Sequence, residues 1–227
     1  MTAYVRYRSE DGIATITLDR PDKLNALNRQ MAVELEEAWV RFNGSDDRVA
    51  VLNGEGRSFT AGADLKDMPT EGYGYVPGIG VSVAKPIICA VQGWCVGVGM
   101  ILVMQADLCV AGTAAQFLYP EAKLGLGRGL IASLATRLPP KVAAEIMLLG
   151  EPVSSARLET HGLVNAVVPD DDVTTRARAM AEVLAGRESV INEFYKYSLA
   201  WVVPKGPGET AEHFRWRSNQ LPGHRTP

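Results

Sequence analysis

Apolar residues along this chain fall in short dense runs and in stretches with helical spacing. A long uncharged stretch extends from Ile87 to Ala106, 20 residues. It follows Lys85-Pro86 and opens with Ile87-Ile88-Cys89-Ala90-Val91, which predicts a strand buried on both faces, as in a parallel sheet. Gln92-Gly93 breaks the strand. Gly97 and Gly99 follow, and then Met100 to Met104, which predicts a buried helix. Strand, glycine-rich turn and helix aim free backbone N–H groups from a helix start at something electron-rich. The run is long enough to cross a bilayer. Its glycines, Gln92 and Gln105 lower its hydrophobicity, and its flanks lack a positive cluster, so a buried core explains it better.

Elsewhere the pattern predicts alternating strands and amphipathic helices. Tyr4 to Tyr7 alternates, Asp11-Gly12 is a hairpin signal, and Ile13 to Leu18 pairs back. Asn28 caps a helix with Met31, Leu35, Ala38, Trp39 and Phe42 on one face. Val49 to Leu52 is a buried strand. Ser58 to Leu65 holds the small residues Ala61, Gly62 and Ala63, which let another molecule approach the backbone. Residues 66–84, with four glycines and two prolines, predict a mobile loop, a lid over a cavity. Strands follow at Asp107 to Val110 and Ala115 to Leu118. Helices are expected over Leu130 to Arg137, Lys141 to Leu149 and a short stretch after Ser154-Ser155, and a last strand over Leu163 to Val168. From about residue 169 the character is helical, with apolar faces over 173–184 and 189–201 that lie outside the expected core. The division expected is a mixed α/β core over 1–168 and a helical association region over 169–227.

Composition narrows the chemistry. A net charge of -3 gives no footing for general nucleic-acid or membrane-surface binding. Cys89, Cys95 and Cys109 all lie in apolar runs without CxxC spacing, which argues against a disulfide framework and against a zinc site. Buried free thiols fit a reducing compartment. The opening residues MTAYVRYRSEDG lack an apolar signal core, so a cytoplasmic protein is expected. There is no Walker A loop, no G-x-G-x-x-G and no G-x-S-x-G elbow. His161, His213 and His224 sit in polar contexts at no ligand spacing, and no metal site is expected.

Five stretches, in order, resemble the crotonase (enoyl-CoA hydratase/isomerase) superfamily. They are Arg20-Pro21 with Lys23-Leu24-Asn25-Ala26-Leu27, Phe59 to Leu65, Lys85 to Asp107, Phe117 with Pro120-Glu121, and Leu124-Gly125. The resemblance implies an α/β fold, a spiral of strand-strand-helix turns with C-terminal helices that assemble a homotrimer or a dimer of trimers. It implies an acyl-CoA thioester as substrate, with coenzyme A part of the substrate and no separate cofactor. It implies an oxyanion hole made by the backbone N–H groups of Ala63 and Val98. Such donors stabilise the negative charge that develops on a thioester oxygen when a neighbouring proton leaves. By the same resemblance Lys23, Ala26, Ala61, Asp64, Leu65 and Lys66 line the substrate and coenzyme A site, Lys23, Arg20 and Lys66 are candidates for its phosphates, and Glu121 is the general acid/base.

The chain departs from the family pattern in ways that bear on the reaction. Val98 stands in a run that is commonly three glycines. Ile101 stands where hydratases carry a glutamate, and Gly127-Arg128-Gly129-Leu130-Ile131 replaces the usual Pro-Gly-x-Gly-Gly. Two carboxylates suit hydration, whereas one suits a proton shuttle that removes a proton and returns it elsewhere. An isomerase-like shuttle on Glu121 is therefore favoured. The alternatives are a hydratase with another second polar group, Asp67 or Glu71 in the loop, and a non-catalytic acyl-CoA binding or scaffold protein.

Overall fold

Asp11 and Gly12 both adopt positive φ, 55° and 74°, as a two-residue hairpin turn requires. In this computed structural model, which describes residues 3–69, 72–126 and 129–211, the turn joins β1 (Val5–Glu10) to β2 (Ile13–Leu18). The chain continues through α1 (Arg29–Gly44), β3 (Val49–Gly54), β4 (Ile87–Val91), β5 (Trp94–Val96) and α2 (Val98–Gln105). Next come β6 (Leu108–Gly112), β7 (Gln116–Leu118), a 3-10 segment (Gly129–Thr136), α3 (Pro140–Leu149), β8 (Val153–Ser154), α4 (Ser155–Thr160) and β9 (Ala166–Val168). The last elements are α5 (Val173–Ala185) and α6 (Ser189–Val202), and residues 207–211 are again helical.

Six strands form one sheet in the order β1-β2-β3-β4-β6-β9, parallel except for the β1–β2 hairpin. Its register explains the uninterrupted apolar run of β4. Ile87, Cys89 and Val91 pack inward with α1 and α2, and Ile88 and Ala90 pack on the opposite face. Both faces are dry, so no polar alternation survives. A second sheet, β5-β7-β8, stands beside the first. Its strands of two or three residues carry no readable period, and β5 and β8 are absent from the sequence expectation. Asn28 caps α1 by accepting the Met31 N–H at 3.0 Å, as its position predicts.

Two expectations are corrected. The 72–84 stretch is not a loose lid. Tyr75, Val76, Ile79, Val81 and Val83 are buried in the main core, and Trp39 Nε1 donates to the Tyr75 carbonyl at 3.0 Å. Its glycines and Pro77 shape a packed turn around apolar residues. The apolar face of α5 does not lie outside the core either. Val173, Ala177 and Ala181 are buried and cover the outer face of β3, β4 and β6. Of the two C-terminal helices, α6 is the one whose apolar face stays outside the core.

Candidate active site

A single parallel bridge between Thr60 and Cys95 sets the geometry of the site. Thr60 donates its N–H to Trp94 O, and Val96 donates to Thr60 O, both at 3.0 Å. Residues 61–63 therefore leave the bridge alongside 96–98. Ala63 and Val98 stand three residues beyond the bridged pair, each on its own segment. The first turn is held from the other side by the Arg20 to Leu27 stretch. Leu27 bridges Ala63 and donates to Gly62 O at 2.8 Å, and Ala61 donates to Leu24 O at 2.8 Å. Leu24 and Asn25 take positive φ, and the buried Asn25 amide donates to Glu55 O and Ser58 O. That locking network accounts for the Leu24-Asn25-Ala26-Leu27 motif.

The second turn depends on two glycines. Gly97 has φ 54° and ψ -112°, a conformation closed to residues with a Cβ, and it reverses the chain into α2. Gly99 lies against Thr60, where a Cβ would approach the threonine methyl to 2.5 Å. Val98 is the first residue of α2, so its N–H has no partner within the helix. Among the described residues neither the Ala63 N–H nor the Val98 N–H is bonded to a protein acceptor. The Val98 side chain, 6% exposed, packs into the core and leaves this N–H free.

Both turns open on one cavity of about 260 Å³. Ala61, Ala63, Leu65, Val98 and Glu121 all line it, so these five sequence-predicted residues converge. Glu121 reaches it from the turn after β7, and its carbonyl accepts from Leu126 N at 2.9 Å. Its Oε2 is buried with no hydrogen-bond partner. Burial raises its carboxyl to about 7. Ile101 lines the same cavity and is 2% exposed, so the position that the resemblance pairs with a hydratase glutamate presents hydrocarbon to the cavity.

The remaining predicted residues sit around the cavity rather than in it. Lys23 and Lys66 are exposed, and Ala26 is half-buried with its carbonyl accepting from Arg20 at 3.0 Å. Asp64 pairs with Arg20 at 2.8 Å and accepts the Lys66 N–H at 3.0 Å. Its carboxyl is lowered first by the Arg20 hydrogen bond. Asp64 thus braces the Ala63 turn, and Arg20 is committed to it rather than to a phosphate. Asp67 pairs with Arg29 on the surface, and Glu71 lies outside the described residues. Tyr73, Tyr75 and Tyr119 line the cavity and escaped the sequence reading. Tyr119 is adjacent to the Pro120-Glu121 motif, the only signal that pointed to it. Among the described residues no His, Cys, Asp or Glu cluster suits a metal, and no helix is long and apolar enough to cross a membrane.

The enoyl-CoA hydratase/isomerase family matches residues 8–203. A probable enoyl-CoA hydratase of Mycobacterium tuberculosis is 35% identical over 184 residues, 76% of this chain and 72% of the relative. The 1,2-epoxyphenylacetyl-CoA isomerase of Escherichia coli is 32% identical over 205 residues, 82% of this chain and 77% of the relative. Among solved structures, the carnitinyl-CoA hydratase of Mycobacterium avium superposes with a TM-score of 0.83 at 31% identity, covering 96% of this chain and 87% of the other. The fold is the crotonase fold of those structures, and the chain belongs to the enoyl-CoA hydratase/isomerase family.

Proposed function

We propose that this protein is an acyl-CoA enzyme that moves a proton along the acyl chain, with Glu121 as its one acid/base. The observation that carries the reading is the Glu121 carboxylate itself. The residue is half-buried, its Oε2 is buried without a hydrogen-bond partner, and it lines the same cavity as the free N–H groups of Ala63 and Val98. A thioester oxygen seated between those donors has its developing charge stabilised by several kcal/mol in a dry site. Glu121 takes the proton from the neighbouring carbon as the C–H bond breaks, and the electron pair moves into the enolate. The same carboxyl then returns the proton two carbons further along, and the double bond migrates. No water enters the balance, which suits a site where Ile101 replaces a second carboxylate.

Catalysis is favoured over a binding-only scaffold because Glu121 faces the cavity instead of pairing on the surface. Hydration through Asp67 is disfavoured by its ion pair with Arg29. Lys23 and Lys66, exposed beside the Ala63 turn, are the cations left for the coenzyme A phosphates. We further propose a cytoplasmic homotrimer or dimer of trimers, since the three cysteines are free and buried and the α6 surface is apolar. No cofactor beyond the coenzyme A of the substrate is invoked. The test is incubation with 2-enoyl-, 3-enoyl- and 3-hydroxyacyl-CoA thioesters with mass analysis of the products. Interconversion of 3-enoyl and 2-enoyl thioesters is expected to outrun hydration. Fast hydration that survives Glu121→Gln would end the single-base reading.

A further inference from the structure

The cavity has an open end and a closed end. Leu65, Leu124 and Leu126 at its mouth are 64%, 51% and 36% exposed, whereas Tyr75, Ile101 and Tyr119 are 6% exposed or less. Beside the first cavity lies a second of about 170 Å³, against α1 and open at Arg29 and Val33. The two cavities share Pro69 and Tyr75. Beyond that wall the second cavity meets Ala32 and Val33 of α1, with Arg29 and Glu36 also lining it. The Glu36 carboxylate lies over Gly74, immediately beside Tyr75, close enough that a Cβ on Gly74 would collide with it.

Tyr75 is a fixed wall. Its carbonyl is held by Trp39 Nε1 at 3.0 Å, and its ring leans on Tyr73 with centroids 6.3 Å apart. The turn that carries it closes on itself, with Val76 N donating to Tyr73 O at 2.9 Å and Val81 N to Gly74 O at 3.1 Å. We propose that Tyr75 sets the acyl-chain length that this enzyme accepts. It ends the acyl site at a compact group and shuts off a second, partly apolar compartment that a longer chain would otherwise fill. The inference rests on the acyl-CoA reading of the first cavity and adds the substrate class, short or compact acyl thioesters, and the residue that selects it.

The logic is steric. An acyl tail gains affinity for each methylene that leaves water, until it meets a wall that cannot give, and beyond it each further methylene must fold back or stay in solvent. Replacing the ring with a small side chain joins the two cavities, and the tail then reaches Ala32 and Val33.

The experiment measures calorimetric affinities for butyryl-, hexanoyl-, octanoyl- and decanoyl-CoA, with free coenzyme A as the reference. These saturated thioesters do not require turnover. The unmodified protein, Tyr75→Ala and Tyr75→Leu are compared, the leucine variant retaining apolar bulk should the alanine variant fold poorly. Affinity of the unmodified protein is expected to level off or fall at the longer chains. In the variants it is expected to keep rising, with decanoyl-CoA gaining at least about tenfold over butyryl-CoA relative to the unmodified protein. Parallel profiles in all three proteins, with acyl-CoA bound more tightly than coenzyme A, would overturn the role of Tyr75 alone. Failure of every acyl thioester to bind better than coenzyme A would overturn the acyl-site reading as well.

Discussion

Glu121 leans on Gly97, and a Cβ at position 97 would stand 2.7 Å from its Oε1. The residue that turns the chain into α2 thus also makes room for the carboxylate. Gly97→Ala forces a Cβ into that space at φ 54°. The backbone strain costs about 1–3 kcal/mol, and the carboxylate is displaced from the cavity. A lowered melting temperature and a fall in kcat of at least about tenfold are expected, measured by calorimetry and steady-state kinetics. An alanine variant with unchanged kcat would show that the position of Oε1 is not critical.

Glu121→Gln keeps the shape and removes the base. Turnover is expected to fall by about 10²–10⁴-fold, with acyl-CoA affinity nearly intact, since the Ala63 and Val98 donors remain. Equilibrium binding alongside single-turnover rates separates the two.

The same carboxyl makes activity and stability respond oppositely to pH. Burial raises it from 4.5 to about 7 in the folded protein. As the base it must be ionised, so the rate on a 3-enoyl thioester is expected to climb as pH rises through about 7. The unfolded chain releases this proton near 4.5, whereas the fold retains it up to about 7. In that window the native state binds more protons, and stability falls as pH rises. The contribution is full below the unfolded value and lost through the folded one. Denaturation curves across the window should show this slope in the unmodified protein and lack it in Glu121→Gln.

Arg20 and Asp64 make the ion pair that braces the Ala63 turn, with side chains 16% and 17% exposed. Arg20→Ala also removes the bond to Ala26 O and leaves Asp64 without its partner. Hydrogen bonds to charged groups are worth about 1.5–3 kcal/mol, so a loss within that range is expected by chemical denaturation. The Asp64 carboxyl is held low, so its stabilisation is present above its unfolded value and disappears as pH falls through the folded one. Acid denaturation of the variant should begin from a less stable protein and be less steep. A change in KM larger than in kcat is expected, because the brace lies beside the cavity rather than in it.

How legible was this site? The Gly-rich turns could be read because close backbone approach demands small residues, and Ala61 to Ala63 and the glycines flanking Val98 show them. Glu121 could be read only from its place in a resemblance, since one glutamate after a proline signals nothing by itself. What unites them, the Thr60–Cys95 bridge, is a long-range pairing that leaves no local pattern. Tyr73 and Tyr75 were hidden for another reason. Glycine and proline around them imitate a flexible loop, while burial of Val76, Ile79 and Val81 makes the segment part of the core. Arg20 looked like a phosphate ligand because charge is visible in sequence and its partner, 44 residues away, is not.

The last prediction concerns α6, whose polarity is reversed. Its attachment to its own chain is polar. Asn192, its one buried residue, donates to Leu184 O at 2.9 Å, and Lys196 reaches Asp107 and Lys85 O, both at 2.9 Å. Its aromatic residues point the other way, with Phe194, Tyr197 and Trp201 61%, 62% and 76% exposed. They are already arranged edge to face, Tyr197 against Trp201 with centroids 5.9 Å apart and Phe194 against Tyr195 at 5.6 Å. Such a face left in water is costly, and a contact with another copy of the chain would cover it. Each aromatic residue covers about 150–250 Å² when buried, so removing these side chains from water favours a contact over this face. Trp201→Asp combined with Phe194→Asp removes the apolar anchors and touches neither Asn192 nor Lys196, so the protomer fold should persist. Light scattering at micromolar concentration is expected to give a trimer or hexamer for the unmodified protein and a smaller species for the double variant, with far-ultraviolet circular dichroism unchanged. A monomer for the unmodified protein would deny the association, and an oligomer of the same size in both would place it on another surface.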